Sequence, residues 1–287
     1  MYLVFRTPEE MNEFFEKNLK VREKMKIEYA ILSNFKKNRV VFCAPHAVTE
    51  RIYVGNGKYI GIGDKNTEKL AKIAALRIGS VYISPKFSRR EADLTRDPRK
   101  LGNGIKLLAP LYGKKVSKTY VSIHTNKKFM KSLEFYHGLI GRLNPKALVF
   151  IHGMHRRSKA DVVLGLGKNM EYFIGEDFAK KFLEDFKLGT SEALKKFSIS
   201  RELKIRIART YRGIDDYGLK THVLNHNLES KKKRVGMNVE FNLRGRVTKK
   251  YKELPSVEYQ LTVQVLADTL LKWIRLIPNL QKVQHRT

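Results

Sequence analysis

Two short segments, Arg39-Val40-Val41-Phe42-Cys43-Ala44-Pro45 and Ala147-Leu148-Val149-Phe150-Ile151, are apolar at consecutive positions rather than alternate ones. Successive side chains of a strand point to opposite faces, so an unbroken apolar run must be buried on both. That requirement calls for strands inside a sheet with helices packed over each face. The helices are at hand. Thr67 to Ile78 carries Leu70, Ile73, Ala74 and Arg77 at helical spacing and stops at Gly79. Lys127 to Leu143 ends at Asn144-Pro145, Glu176 to Phe197 reads as helical, and Ser256 to Ile277 forms a long closing helix with Trp273. Near the N-terminus, Thr7 is the expected cap, Pro8 the first helical residue and Glu10 the partner in a capping box. Val81 to Ser84, Asp161 to Leu166, Arg201 to Arg209 and Val235 to Leu243 supply further strands. This alternation predicts a three-layer α/β fold, a mixed and mostly parallel sheet with helices on both faces. The chain offers no linker or repeat that would split it, so one domain over residues 1–287 is expected.

Charge narrows the partners. Lys and Arg number 58 against 28 Asp and Glu, a formal net charge of +30. A surplus of this kind attracts polyanions, and nucleic-acid binders use it to displace counterions. The basic runs Lys36-Lys37-Asn38-Arg39, Arg156-Arg157-Ser158-Lys159, Lys231-Lys232-Lys233-Arg234 and Lys249-Lys250 are scattered, however. They lack interleaved aromatic residues and any helix-turn-helix, zinc-finger or RNP pattern. A basic nucleic-acid-associated protein therefore stands as the alternative reading, resting on charge alone. No run of about 18 apolar residues is present, so no membrane partner is expected. The opening segment MYLVFRTPEEMNEFFEK turns acidic and amphipathic where a signal peptide carries an apolar stretch, which predicts a cytoplasmic protein. The single cysteine, Cys43, excludes an internal disulfide and a cysteine-based zinc module.

Open α/β sheets bind ligands beyond the carboxyl ends of their strands, and here the chain places polar groups at those ends. Pro45-His46 follows the first apolar run, His152-Gly153-Met154-His155 follows the second, and Glu240 lies within VGMNVEFNL ahead of Arg244 and Arg246. A hydrolytic zinc site needs three imidazole or carboxylate ligands and an open position for water, whose pKa the metal lowers toward about 7. It also needs a carboxylate to take the proton and a cation to steady developing negative charge. His46 and His152 suit the ligands, Glu240 suits the base, and the segment Ser88 to Pro98 supplies arginines. His137 falls within a helical pattern and is expected to be structural. His222 and His226 flank YRGIDDYG, which reads as a loop over the substrate.

These residues occur in an order that resembles the N-formylglutamate amidohydrolases. The resemblance is carried by Pro45-His46, by Gly63-Asp64-Lys65-Asn66-Thr67-Glu68-Lys69-Leu70-Ala71, and by Ser88-Arg89 with Asp93-Leu94-Thr95-Arg96-Asp97-Pro98. It continues through Ile151-His152-Gly153-Met154 and Val239-Glu240-Phe241-Asn242-Leu243-Arg244, covering about residues 40 to 246. Three positions depart from the family pattern: Thr95 stands in place of its usual Asn, apolar residues precede His152 in place of an acid, and Val48 follows Ala47 where the P-H-x-G variant has glycine. The resemblance implies a phosphorylase/hydrolase-like, zinc carboxypeptidase-like fold and a zinc-dependent amidohydrolase acting on an acylated amino acid or peptide-like anionic substrate. It implies His46, Asp64 and His152 as zinc ligands, with Glu50 as a rival for the second position because it lies four residues after His46. Glu240 would be the general base, and Arg89, Arg96 and Arg244 would hold the substrate, with Arg246 also near the pocket.

Overall fold

The computed structural model describes residues 1–53, 59–89, 91–95, 105–108, 120–123, 127–156, 158–173, 175–208, 217–230 and 233–284. In chain order the strands are β1 (Arg22–Lys24), β2 (Ile27–Ile31), β3 (Val40–Cys43), β4 (Glu50–Tyr53), β5 (Tyr59–Ile62) and β6 (Val81–Pro85). They continue as β7 (Ile105–Leu108), β8 (Tyr120–Ile123), β9 (Ala147–Met154), β10 (Val162–Gly165), β11 (Ile205–Ile207) and β12 (Val235–Asn242). The long helices are α1 (Pro8–Asn18), α2 (Thr67–Ile78), α3 (Lys127–Leu143), α4 (Glu176–Lys196) and α5 (Val257–Gln284).

One eight-stranded sheet runs β1-β2-β6-β3-β9-β12-β10-β11, and β4-β5 and β7-β8 form separate hairpins. Its middle is parallel: β3 pairs with β6 on one side and β9 on the other, and β9 pairs with β12. Antiparallel strands β2 and β10 flank this block. The sheet is therefore mixed and mostly parallel in its core, as the two apolar runs require. Alternate residues of each run divide between the faces. Val40, Phe42, Val149 and Ile151 pack with Phe15 of α1, Leu70 of α2, Phe182 of α4 and Leu270 of α5. Val41, Cys43, Leu148 and Phe150 pack instead with Leu133, Tyr136 and Ile140 of α3.

Expected boundaries hold for α2 and α3, while other elements differ for local reasons. The strand expected over Arg201 to Arg209 is confined to Ile205–Ile207, and α5 continues past Ile277 and through Pro278 to Gln284. The edge strand β1 is exposed at all three positions, so it has no apolar alternation by which to be read. At α1, Thr7 Oγ1 accepts from Glu10 N at 3.2 Å, the predicted cap. The Glu10 carboxylate reaches back to Arg6 N (2.8 Å), one residue beyond the capping-box position.

The N-terminal segment is bound to α5 by two buried glutamines. Gln264 Oε1 accepts from Leu3 N at 2.7 Å while Gln264 Nε2 donates to Leu3 O at 2.6 Å. Gln260 does the same for Phe5, at 2.8 and 3.0 Å. Each side-chain amide thus stands in for a neighbouring strand and satisfies a backbone donor and acceptor, which at Phe5 are buried. Replacing Gln260 by Leu keeps the size and removes both partners. Because each buried group left unmade costs about 1–3 kcal/mol, Gln260→Leu is expected to lower unfolding free energy by about 2 kcal/mol or more. Urea unfolding measures this, and a loss below about 0.5 kcal/mol would show that these bonds add nothing net.

Candidate metal centre

Four adjacent parallel strands each deliver a polar group at the carboxyl end. His46 follows β3, Arg89 and Asp93 follow β6, His152 lies near the end of β9, and Glu240 lies on β12 directly opposite His152 in the register. Asp64 comes from the turn between β5 and α2. Gly63 makes that turn with φ of +105°, and a Cβ there would overlap the Val48 carbonyl. The turn is then fixed from three sides. Asp64 N donates to His46 O (2.6 Å), while Thr67 Oγ1 and N donate to Asp64 O (2.7 and 3.1 Å). Asn66 Nδ2 donates to Arg246 O at 2.6 Å and Lys252 O at 3.0 Å. Thr67 three residues after Asp64 is thus a geometric need: it is the first residue of α2, and its hydroxyl holds the aspartate's own carbonyl.

Ligand-capable atoms of His46, Asp64 and His152 all lie within 4.8 Å of one another. Asp64 Oδ2 is 3.4 Å from His46 Nδ1 and 3.5 Å from His152 Nδ1. These separations exceed good N–H···O bonds. They match the edge of a tetrahedron whose centre-to-ligand bonds are about 2.0–2.1 Å, roughly 3.3 Å. The donor set of two imidazoles and one carboxylate is also the chemistry that divalent zinc takes in open sites. The residues therefore fit a metal. Glu50, the rival, instead accepts from Ser88 Oγ at 2.8 Å and lies outside this cluster.

Behind the cluster stands Asp93. Its Oδ1 meets His46 Nε2 at 2.9 Å, and it also accepts from Thr95 N (3.0 Å) and Thr95 Oγ1 (2.6 Å). Its other oxygen accepts from Arg89 Nε at 2.8 Å. Burial works to raise the Asp93 carboxyl, but the Arg89 charge, His46 and Thr95 outweigh it and hold the acid well below its usual range. An ionised carboxylate can only accept, so His46 Nε2 carries the hydrogen of this bond and Nδ1 is the ring nitrogen turned toward Asp64. At Asp64, burial is likewise overcome, by the two imidazoles and Arg246, and the carboxyl falls below its ordinary value. Glu240 behaves oppositely: burial raises it, His152 works against that rise, and Asp64 adds to it.

The structure thus gathers His46, Asp64 and His152, with Glu240 and Arg89 close enough to feel their charges. Arg244 is exposed and its guanidinium donates to Ser158 O at 2.6 Å. Its neighbour Arg246 is buried and interacts electrostatically with both Asp64 and Glu240. Arg96 and His124 lie outside the described residues. Asp93 was legible only as part of an arginine- and aspartate-rich segment. Its spacing of four from Arg89 was the available signal, and that pair is an ion pair here.

No protein-family model matches this sequence, and no curated protein matches it. Among solved structures, the fold is similar to N-formylglutamate amidohydrolase from Ralstonia eutropha JMP134, with a TM-score of 0.51 at 14% identity. That alignment covers 88% of this chain and 99% of the other. A gene product from Agrobacterium tumefaciens aligns with a TM-score of 0.53, also at 14% identity, over 88% of this chain and 96% of its own. At this identity the likeness is one of fold, and it agrees with the fold that the order of motifs implies.

The two histidines that flank YRGIDDYG lie on helical turns. His222 lies in a helical stretch, Lys220–Asn225, and His226 opens the turn that follows; most of YRGIDDYG lies outside the described residues. His222 Nε2 meets His137 Nδ1 of α3 at 3.2 Å, with the rings stacked 5.4 Å apart. Burial and then the His222 charge press His137 down to about 3, against a hydrogen bond with the Leu94 backbone. Burial and Arg234 press His222 down to about 4. Both rings are therefore held neutral in the folded chain, whereas the unfolded chain protonates near 6.5. Stability is full above that pH and is lost as pH falls toward 4 and then 3, because the unfolded state binds more protons. Urea unfolding between pH 7 and pH 4.5 should show this decline, and His222→Gln should flatten it; equal slopes in the two chains would remove the pair as its source.

Proposed function

We propose that this chain is a zinc-dependent amidohydrolase that cleaves the amide C–N bond of an acylated amino acid or peptide-like substrate bearing an anionic group. One observation carries the reading: two imidazole nitrogens and a carboxylate oxygen converge at the carboxyl ends of the central strands, with a second carboxylate, Glu240, beside them. The fold likeness to an N-formylglutamate amidohydrolase supports the same class.

In this reading His46, Asp64 and His152 hold the zinc. When bound, the metal supplies Lewis-acid charge toward the carbonyl oxygen and makes water a stronger acid. Glu240 takes the proton from the attacking water on its carboxylate and returns it to the departing amine nitrogen, so no proton is gained or lost overall. Its raised pKa, set first by burial, suits a group that must accept a proton and release it again. Arg89 is anchored through Nε to Asp93, which orients its planar fork beside Asp64 and Glu240. A fork held that way binds a substrate carboxylate or the carbonyl oxygen with two parallel hydrogen bonds. Arg96 and Arg244 belong to the same proposal as outer contacts to the anionic group. The net charge of +30 adds long-range attraction for such substrates.

Protein purified without chelator is expected to hold about one equivalent of zinc, measured by elemental analysis, and to release N-acyl groups from acidic amino acids. Glu240→Gln should retain the metal while turnover drops by about 10²–10⁴-fold, the usual loss of a general base. Less than a tenth of an equivalent, with no uptake on titration, contradicts the zinc assignment. Unchanged turnover in Glu240→Gln removes the role given to that residue.

A further inference from the structure

We infer that Arg246 is a positioning residue that ties together the three chain segments carrying Asp64, His152 and Glu240. The inference rests on the metal centre proposed above and concerns what holds it in shape. Arg246 is only 3% exposed, yet no carboxylate is hydrogen-bonded to its guanidinium among the described residues. Its fork is given to main-chain carbonyls instead. Nε donates to Phe241 O at 2.9 Å, Nη1 to Lys65 O at 2.5 Å, and Nη2 to Met154 O at 3.4 Å. Lys65 adjoins Asp64, Phe241 adjoins Glu240, and Met154 lies two residues past His152. One side chain therefore contacts all three segments within two residues of those that do the work.

Two further contacts lock the arrangement. The Arg246 carbonyl accepts from Asn66 Nδ2 at 2.6 Å, so the turn bearing Asp64 grips this residue by its main chain as well as its side chain. Gly153, between His152 and Met154, lies against the guanidinium, and a Cβ there would overlap its central carbon and both terminal nitrogens. The close approach requires glycine at that position. The cation also faces Asp64 and Glu240 without being bonded to either, which offsets two neighbouring negative charges while leaving their oxygens for other partners. Lysine, a point charge on a flexible stem, cannot serve three carbonyls from one rigid plane.

The test uses the full chain, with Arg246→Lys and Gly153→Ala disturbing the clamp from opposite sides. Zinc affinity is measured by competition with a chromophoric chelator, and geometry by the visible spectrum of the cobalt-loaded protein. Folding of each metal-free variant is followed by urea unfolding. Arg77→Lys, which weakens the forked pair of Arg77 with Asp268 on α5, serves as the control for general destabilisation. Both clamp variants are expected to bind zinc about 10–100-fold more weakly and to alter the cobalt spectrum, as loss of a supporting group does. Arg77→Lys is expected to stay within twofold of the unaltered chain. If the unaltered chain binds zinc and both clamp variants match it within twofold, the clamp is wrong and the proposed centre stands. If the unaltered chain takes up no zinc, the centre itself fails and the clamp with it.

Discussion

The hydrogen bond between His46 Nε2 and the buried carboxylate of Asp93 decides which edge of that imidazole faces the site. Without it the ring could take either tautomer and either orientation, and the approach of Asp64 and His152 would define nothing. Asp93 can do this because Arg89 and Thr95 keep it ionised in a place where an unpaired charge would be costly. The chain of contacts runs from Arg89 through Asp93 and His46 to the point where the ligand atoms meet. Breaking it at Asp93 would strand a half-buried arginine and free the imidazole at once.

The fold supplies the other half of the arrangement. Strands β6, β3, β9 and β12 are parallel neighbours, so their carboxyl ends form one rim, and each gives a polar side chain to it. Burial of those strands on both faces makes the rim rigid, and the turn before α2 lays Asp64 across it. Where the strand ends need to be held together, the chain uses Arg246 bonded to carbonyl oxygens. A hydrocarbon side chain could fill the space but could not bind three acceptors.

Much of the fold could be read from the sequence because its central strands are apolar without interruption and its helices have clear spacing and stops. The edge strand β1 and its neighbour β2 could not, since β1 is exposed at every position and β2 pairs onward with β6, distant in sequence. His46, Asp64 and His152 were legible as histidines at strand ends and an aspartate with Thr67 at a fixed distance. Asp93 was harder: nothing in a sequence distinguishes a buried acid from a solvated one. Arg246 illustrates the same limit: the short helical turn Leu243–Arg246 brings its side chain inward, while that of Arg244 stays exposed and meets Ser158. The burial of His222 could not be read either, because it depends on His137, 85 residues away.

The claim at the centre of this account is that two imidazole nitrogens and one carboxylate oxygen hold a zinc ion. X-ray absorption at the zinc edge on the purified full chain reads that coordination shell directly. The account predicts a four-coordinate shell of nitrogen and oxygen only, with bonds of about 2.0–2.1 Å and the outer-ring scattering of two imidazoles. That imidazole signal should be reduced by half in His152→Ala. A shell with sulfur, a six-oxygen shell without imidazole scattering, or a signal unchanged in His152→Ala would contradict it.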